Sequence, residues 1–466
     1  MSKIERSALC VHGHFSQPPR GNPLDYTIGD EPDAAPYRNW NARINETSYR
    51  PNAEIGNFDY ISFSISEGLM KWLERAAPET YTLIVEGEKK AYEQYKPAGN
   101  AVATAYNHII LPLARKRDKR TQIVWGMAAF EHHYGRPPLG FWLPEVAVDT
   151  ETLLLLAEAG IQYVILTGKQ VQNLPHNGAG PYKIALPGGK SIAAFVRDDN
   201  LSTQISFNIH RLGGAGRWAR QVLTPARKSV GPLTLLATSG ETFGHHYAGE
   251  EQFLFWLVTH EAISAGYSIT TLDRYFVQNP PSETIQFEER SSWTDQRGLS
   301  HWATGSGDTV WKGALRRALD NATSDINQVY EELLKPYNID VWALRDAYVP
   351  ALFAGMSPEE FVAEKLPTMP ANEQKMLRVL LQAQRITQRM YNSYTFTNDQ
   401  LDGRQPRYAI ACAATALAMV QEATGRDISD RLPLDLAVVT APNTSLTGED
   451  LLKEAAQQYD LVPFRQ

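Results

Sequence analysis

The chain is short of cysteine, of net positive charge and of long apolar runs, and each shortage removes a class of protein. Two cysteines, Cys10 and Cys412, stand in 466 residues, too few for a disulfide framework. Both lie in apolar stretches, Ala-Leu-Cys-Val and Ile-Ala-Cys-Ala-Ala, where a small buried hydrophobe is the usual role. The net charge of -7 argues against nucleic acid as the main partner, because binding a phosphate backbone takes a dense lysine and arginine face. The single basic run, Arg115 to Arg120, is short and interrupted by Asp118; it reads as a solvated loop ahead of a strand. No uninterrupted apolar run reaches the roughly 18 residues a bilayer crossing takes. The opening Met1-Ser2-Lys3-Ile4-Glu5-Arg6 lacks the apolar core of a signal peptide. Together these absences point to the cytoplasm and to no membrane partner. Internal repeats and low-complexity tracts are absent as well, and oligomeric state leaves no trace.

What is present is an ordinary globular composition, 43% hydrophobic and 21% charged, on a chain long enough for a large barrel with an appended domain. Short apolar runs at Ala8–Val11, Tyr60–Phe63, Gln122–Trp125, Ile161–Thr167, Ser191–Val196 and Leu233–Thr238 read as buried strands. They are separated by helical patterns, such as Asp149 to Gly160 with an Asp or Thr cap and a closing Gly. Strands apolar throughout and spaced by helices imply a parallel sheet covered on both faces, either open or closed into a barrel. Ligands then bind at the carboxyl ends of the strands. Beyond about residue 290 the strand signal fades. Ser357-Pro358-Glu359-Glu360 is a capping box, and Met376–Met390 and Tyr408–Val420 are helical patterns. The expected division is a barrel over 1–285, with an ordered insertion at about 20–57, and a helical domain over 286–466.

Three constellations fall at predicted strand ends. His12-Gly13-His14-Phe15-Ser16-Gln17 projects two histidines of one strand face toward the strand mouth, where they could ligate a metal, bond a substrate hydroxyl or simply bond each other's loop. Trp142-Leu143-Pro144-Glu145 sets a carboxylate behind an indole on backbone stiffened by proline. That suits a nucleophile, although Glu145 could equally serve the start of the next helix. Ser239-Gly240-Glu241-Thr242-Phe243-Gly244-His245-His246 joins an acid, two histidines and two glycines on one loop. Arg197-Asp198-Asp199 is a lesser set, readable as a salt bridge.

Taken in this order, His-x-His with Gln-Pro, Trp-x-x-Glu and Gly-Glu-x-Phe-Gly-His resemble glycoside hydrolase family 57, in its α-amylase/α-mannosidase-like branch. Pro36–Asn41, Tyr49–Ala53, Tyr106–Asp149, Ser291-Ser292-Trp293 and Trp311 extend the likeness over about three quarters of the chain. The resemblance implies an incomplete (β/α)7 barrel followed by a helical C-terminal domain, an α-glucan oligosaccharide or polysaccharide as substrate, and no cofactor or metal. It implies retaining chemistry, with two carboxyl groups about 5–5.5 Å apart. Glu145 would be the nucleophile. His12, His14, Gln17, Trp142, Asp198, His245, His246 and Trp293 would bind substrate. The family carries an aspartate as acid/base immediately before Gly-Glu, and this chain has Ser239. A serine hydroxyl cannot donate a proton as a carboxylic acid does, and such help is worth about 10²–10⁴-fold. Either Glu241, Asp198 or Asp199 stands in as the acid, or the chain binds glycans without turnover, or Ser239 is an engineered replacement. The Cys-containing stretches of the nearest branch are replaced here by Ser393–Phe396 and by Thr294-Asp295-Gln296. A metal-dependent barrel enzyme, an α-mannosidase or polysaccharide deacetylase, is a third reading. It is weakened because Ser16 stands where an His-x-His-x-Asp zinc site needs its carboxylate.

Overall fold

The computed structural model describes residues 7–175, 178–227, 231–294, 298–442 and 444–464. The leader reading of Met1–Arg6 and the departure at Asp295-Gln296 lie outside the described residues. The chain divides into two compact units. The first holds the chain through Gln17, Asp30–Ala105 and Phe130–Trp293; the second holds Pro18–Gly29, Tyr106–Ala129 and the chain from Thr294 onward.

The first unit is built on seven parallel strands: β1 (Ala8–Phe15), β2 (Ser62–Ile65), β3 (Ala103–Thr104), β4 (Gly140–Trp142), β5 (Tyr163–Thr167), β6 (Ser191–Arg197) and β7 (Leu233–Ser239). β1 pairs with β7 on one side and β2 on the other, while β3, β4, β5 and β6 pair in that order. A bridge between Phe63 and Ala101 links β2 to the approach to β3. Between β6 and β7 there is no ladder. The Asp198 N–H reaches Leu235 O at 2.8 Å, and Ala179 wedges between them, accepting from Val196 N and donating to Leu233 O. The result is the incomplete (β/α)7 barrel that the family resemblance implied, where the alternation of strand and helix had left an open sheet and a barrel both possible. β1 is buried along its whole length, as expected of a strand covered on both faces.

At the amino-terminal end of the barrel sits a closed ionic network. The Arg136 guanidinium, 2% exposed as a residue, meets Glu88 Oε1 at 2.6 Å and Asp273 Oδ2 at 3.2 Å, and donates to Ala101 O. Glu88 Oε2 accepts from the backbone of Asn100 and Ala101, and Tyr163 donates to Asp273 Oδ1 at 2.6 Å. Burial pushes the Asp273 carboxyl up to about 6, against the pull of Arg136.

The insertion is ordered: Asn39 caps Trp40–Ile44, and a π-turn over Asn45–Tyr49 leads into Arg50–Glu54. The helix after β4 is Thr150–Glu158, capped by Asp149, which accepts from Thr152 N at 2.8 Å.

The second unit is mainly helical, with long helices at Trp311–Leu334, Ala371–Arg389 and Arg404–Thr424. The Ser357 capping box forms as read, with Glu360 N on Ser357 Oγ and Ser357 N on Glu360 Oε2. Two sequence readings are corrected. Gln122–Trp125 is no strand but the middle of the helix Lys116–Tyr134, where Trp125 packs with Tyr106, Ala129 and Val349. A short apolar run is ambiguous between a buried strand and a buried helical turn; the strand lies instead at Ala103–Thr104. The basic run, from Lys116 on, is the start of that helix rather than a solvated loop. Asp118 and Lys119 are buried, and Arg345 meets Asp118 Oδ1 at 2.9 Å. Cys10 and Cys412 are free and buried. Among the described residues no helix is long and apolar enough to cross a membrane.

Candidate active site

The parallel pairing sets the carboxyl ends of β1, β2, β4 and β7 at one mouth, and the register decides what meets there. His12 and His14 are two residues apart on β1 and so share a face. Their partners on β2 are Ser62 and Ser64. His12 Nδ1 lies 3.3 Å from Ser62 Oγ and Nε2 3.1 Å from Ser64 Oγ; His14 Nδ1 lies 2.7 Å from the same Ser64 hydroxyl. Both imidazoles stack on the Trp142 indole, with centroids 5.0 and 4.9 Å away. His12 is fully buried, and burial lowers it to about 3. It is therefore a neutral ring forming the floor of the mouth, and Trp142, 1% exposed, lies beneath as well. The buried Trp142 Nε1 finds no acceptor among the described residues.

Glu145 stands on a 3₁₀ turn, Pro144–Val146, directly after β4. Its φ is 58° and that of Val146 is 48°, a left-handed conformation unusual for a side-chain-bearing residue and costing on the order of 1–3 kcal/mol. The surroundings hold it in place. Val146 N donates to Leu143 O, Gln170 Nε2 donates to Val146 O, and Val148 N donates to Ser291 O. Trp293 then closes on the carboxylate, its indole Nε1 donating to Glu145 Oε2 at 3.1 Å. The Trp293 ring meets Trp142 edge-on at 5.9 Å, so Glu145, Trp293, Trp142 and His14 form one connected wall. Glu145 does not cap the following helix; Asp149 does.

β7 brings Ser239 opposite His14 in the ladder. The Ser239 hydroxyl donates to Glu241 Oε2 at 2.8 Å. Glu241 Oε1 accepts from Ser16 N at 3.0 Å, from Tyr49 OH at 2.8 Å and, more weakly, from Gln17 Nε2 at 3.5 Å. Burial raises the Glu241 carboxyl above its ordinary range, opposed by the hydrogen bonds from Tyr49 and Ser239. Glu241 thus ties together the end of β1, the insertion and β7. Gln17 also donates to Tyr49 OH.

The remaining sequence candidates are placed as follows. Asp198 caps the helix Asp199–Asn208, accepting from Leu201 N at 2.9 Å. Asp199 pairs with Arg197 Nε at 2.9 Å and accepts from Lys169 N. The Arg197 guanidinium also lies 5.7 Å from the Trp293 ring centre. His245 sits on the insertion, its Nδ1 3.2 Å from Thr47 Oγ1; burial first, then His246 and Arg43, lowers it to about 4. His246 is exposed. Among the described residues, no group of three or more His, Cys, Asp or Glu side chains is arranged to hold a metal ion.

Ser62, Ser64, Ser16 and Tyr49 were not among the sequence candidates. A signal existed for the first two: serines at alternate positions of an apolar strand must face the same interior as the histidines across the ladder.

An incomplete seven-stranded parallel barrel with a carboxylate, indoles and imidazoles at its strand mouth defines a class of α/β barrel proteins with a site at the top of the barrel. Within that class the chain belongs to Glycosyl hydrolase family 57, which its sequence matches over residues 25–288. Residues 308–449 match a domain of unknown function, DUF3536. Alpha-amylase 1 of Dictyoglomus thermophilum is 28% identical over 169 residues, which cover 36% of this chain and 21% of that relative. The chain therefore spans about a fifth of that relative's length. The exo-type maltose-forming amylase from Pyrococcus sp. ST04 superposes with a TM-score of 0.74 at 16% identity, covering 92% of this chain and 82% of that one. The GH57-type branching enzyme from Pyrococcus horikoshii superposes with a TM-score of 0.62 at 15% identity, over 98% and 96%. At such identities the likeness is one of fold.

Proposed function

We propose that this chain is a retaining glycoside hydrolase or transglycosylase acting on α-glucosidic substrates, with Glu145 as nucleophile. The observation that carries the reading is the held carboxylate: Glu145 sits in a strained left-handed turn at a strand mouth and is aimed by the Trp293 indole N–H. Strain of this kind persists where surrounding structure over-determines it, as at active sites. Preorganisation of a nucleophile is how a fold contributes rate without reorganising during reaction. In this scheme Trp293 and His14 face the sugar, and Trp142 supports them from beneath. Family membership and the amylase names among its relatives support an α-glucan as the substrate class.

The same loop favours a second reading, a glycan-binding protein impaired in turnover, because Ser239 gives its hydroxyl hydrogen to Glu241. One experiment addresses both. Release of glucose and shorter oligosaccharides from maltooligosaccharides and glycogen is followed for the chain as given, for Ser239→Asp and for Ser239→Asp combined with Glu145→Gln. Turnover that appears or rises about 10²–10⁴-fold in Ser239→Asp and is lost with Glu145→Gln supports the nucleophile. Silence in all three sinks the α-glucan reading.

A further inference from the structure

Departure of an alcohol from an anomeric carbon needs a proton, so each group that could supply one at this mouth matters. Besides Glu145, four carboxylates directly follow the barrel strands: Glu67 after β2, Asp198 and Asp199 after β6, and Glu241 after β7. Glu67 is 6% exposed and bound by Lys71 at 3.0 Å and His133 at 3.0 Å; although burial opposes ionisation, these two partners bring it down to about 2. Asp198 is committed to a helix cap, and Asp199 to Arg197 and a backbone N–H. Glu241 is 5% exposed and accepts on both oxygens. A proton on it would be held against the Ser239 or Tyr49 hydroxyl oxygen, inside the protein, rather than offered to the mouth. His12 and His245 are neutral rings near pH 7 and have no imidazolium proton to give. Among the described residues, each acid that directly follows a barrel strand is thus tied to a structural partner, beside an aimed Glu145.

We propose that the glycosyl donor consumed here carries a leaving group that departs as a stable anion without protonation, a glycosyl phosphate being the biological class. This rests on Glu145 as nucleophile. A Glu145 oxygen forms a bond to the anomeric carbon as the bond to the leaving group breaks, the leaving group taking the electron pair. The glycosyl ester is then opened by an acceptor, which displaces the Glu145 carboxylate. An anionic acceptor needs no base, whereas water or a sugar hydroxyl must shed a proton that none of these four tied carboxylates is placed to take. The ester therefore accumulates.

The test uses the full chain with α-glucosyl fluoride, α-glucose 1-phosphate and maltotetraose, with and without azide, and intact-protein and peptide masses taken during turnover. The expected result is fluoride release with a kcat/KM at least about 100-fold above that for maltotetraose, acceleration by azide to an α-glycosyl azide, and one added glycosyl unit on the Glu145 peptide. Phosphate release from the sugar phosphate identifies the biological class; fluoride release alone narrows the proposal to activated donors in general and overturns the phosphate assignment. Ser239→Asp is expected to close the gap between fluoride and maltotetraose and to abolish the azide effect. Comparable turnover of fluoride and maltotetraose by the given chain, both lost in Glu145→Gln, overturns the proposal and leaves the nucleophile standing. Fluoride turnover that survives Glu145→Gln, or an adduct on another peptide, overturns the nucleophile itself. No fluoride turnover overturns the proposal, and maltotetraose cleavage by Ser239→Asp then decides whether the nucleophile stands. If Glu145→Gln fails to give a folded protein by its thermal transition, the site of the adduct decides.

Discussion

The two ends of the barrel bury polar groups to a similar depth and by opposite means. At the amino-terminal end charge answers charge: Arg136 lies between Glu88 and Asp273, and the spare oxygens are filled by backbone N–H groups and Tyr163. At the mouth Glu67 and Asp199 are also paired with cations, Lys71 and Arg197, but around the histidines, Glu241 and Glu145 the partners are neutral. Serines bond histidines, a tyrosine and a serine bond Glu241, and Glu145 is met by an indole. Buried ions are stable only when paired and hydrogen-bonded, so the closed end is a structural clamp. At the mouth the Glu145 carboxylate instead meets the Trp293 indole N–H, the place where the proposed function puts its nucleophile. This division agrees with the general rule for parallel barrels, in which the amino-terminal face serves stability and the carboxyl-terminal face serves chemistry.

The comparison breaks first where charge is removed. Arg136→Met strands Glu88 and Asp273 without their cation and is expected to lower stability by about 3–5 kcal/mol, read from urea unfolding. A loss under about 1 kcal/mol would mean the network is not the clamp described. Next in size is Glu241→Gln, which turns one acceptor into a donor facing donors. It is expected to cost about 1.5–3 kcal/mol by the same measurement, and equal stability to the parent would show that Glu241 does not tie the three segments.

The smallest effect is a pair of opposed pH slopes. His12 is lowered to about 3 in the fold, so between about pH 3 and its unfolded value of about 6.5 the unfolded chain binds the extra proton. Its contribution is present above about 6.5 and is lost as pH falls. Asp273 is raised to about 6, so between about pH 4 and 6 the folded chain binds the extra proton. Its contribution is present below about pH 4 and is lost as pH rises through 6. Each slope is at most about 1.4 kcal/mol per pH unit, and between pH 4 and 6 they oppose. His12→Gln should therefore make stability fall more steeply with rising pH over that window, and Asp273→Asn should make it rise more steeply. Unchanged slopes in both variants would remove the protonation states assigned to the two ends.

Sequence alone determined the alternation of apolar strand and helix. It also located most strands, since Ala8–Val11, Ile161–Thr167, Ser191–Val196 and Leu233–Thr238 all fall within or across observed strands; it placed the Ser357 cap and narrowed the other to Asp149 or Thr150, of which the structure uses Asp149. It marked Glu145 and the Ser239–His246 loop because polar residues closing an apolar run must lie at a sheet's end. It misplaced Gln122–Trp125, where a buried helix and a buried strand have the same apolar content and only packing against Tyr106 and Val349 separates them. Only tertiary structure decided which serines meet which histidines, since that follows from β1–β2 register. It likewise joined Trp293 to Glu145 across 148 residues of chain, gave that turn its left-handed backbone, and drew Tyr49, Ser16 and Ser239 onto Glu241. Local pattern fixes which face a residue presents, because side-chain direction repeats with the backbone. Which partner it meets is a property of strand order and closure, and no window of sequence contains both.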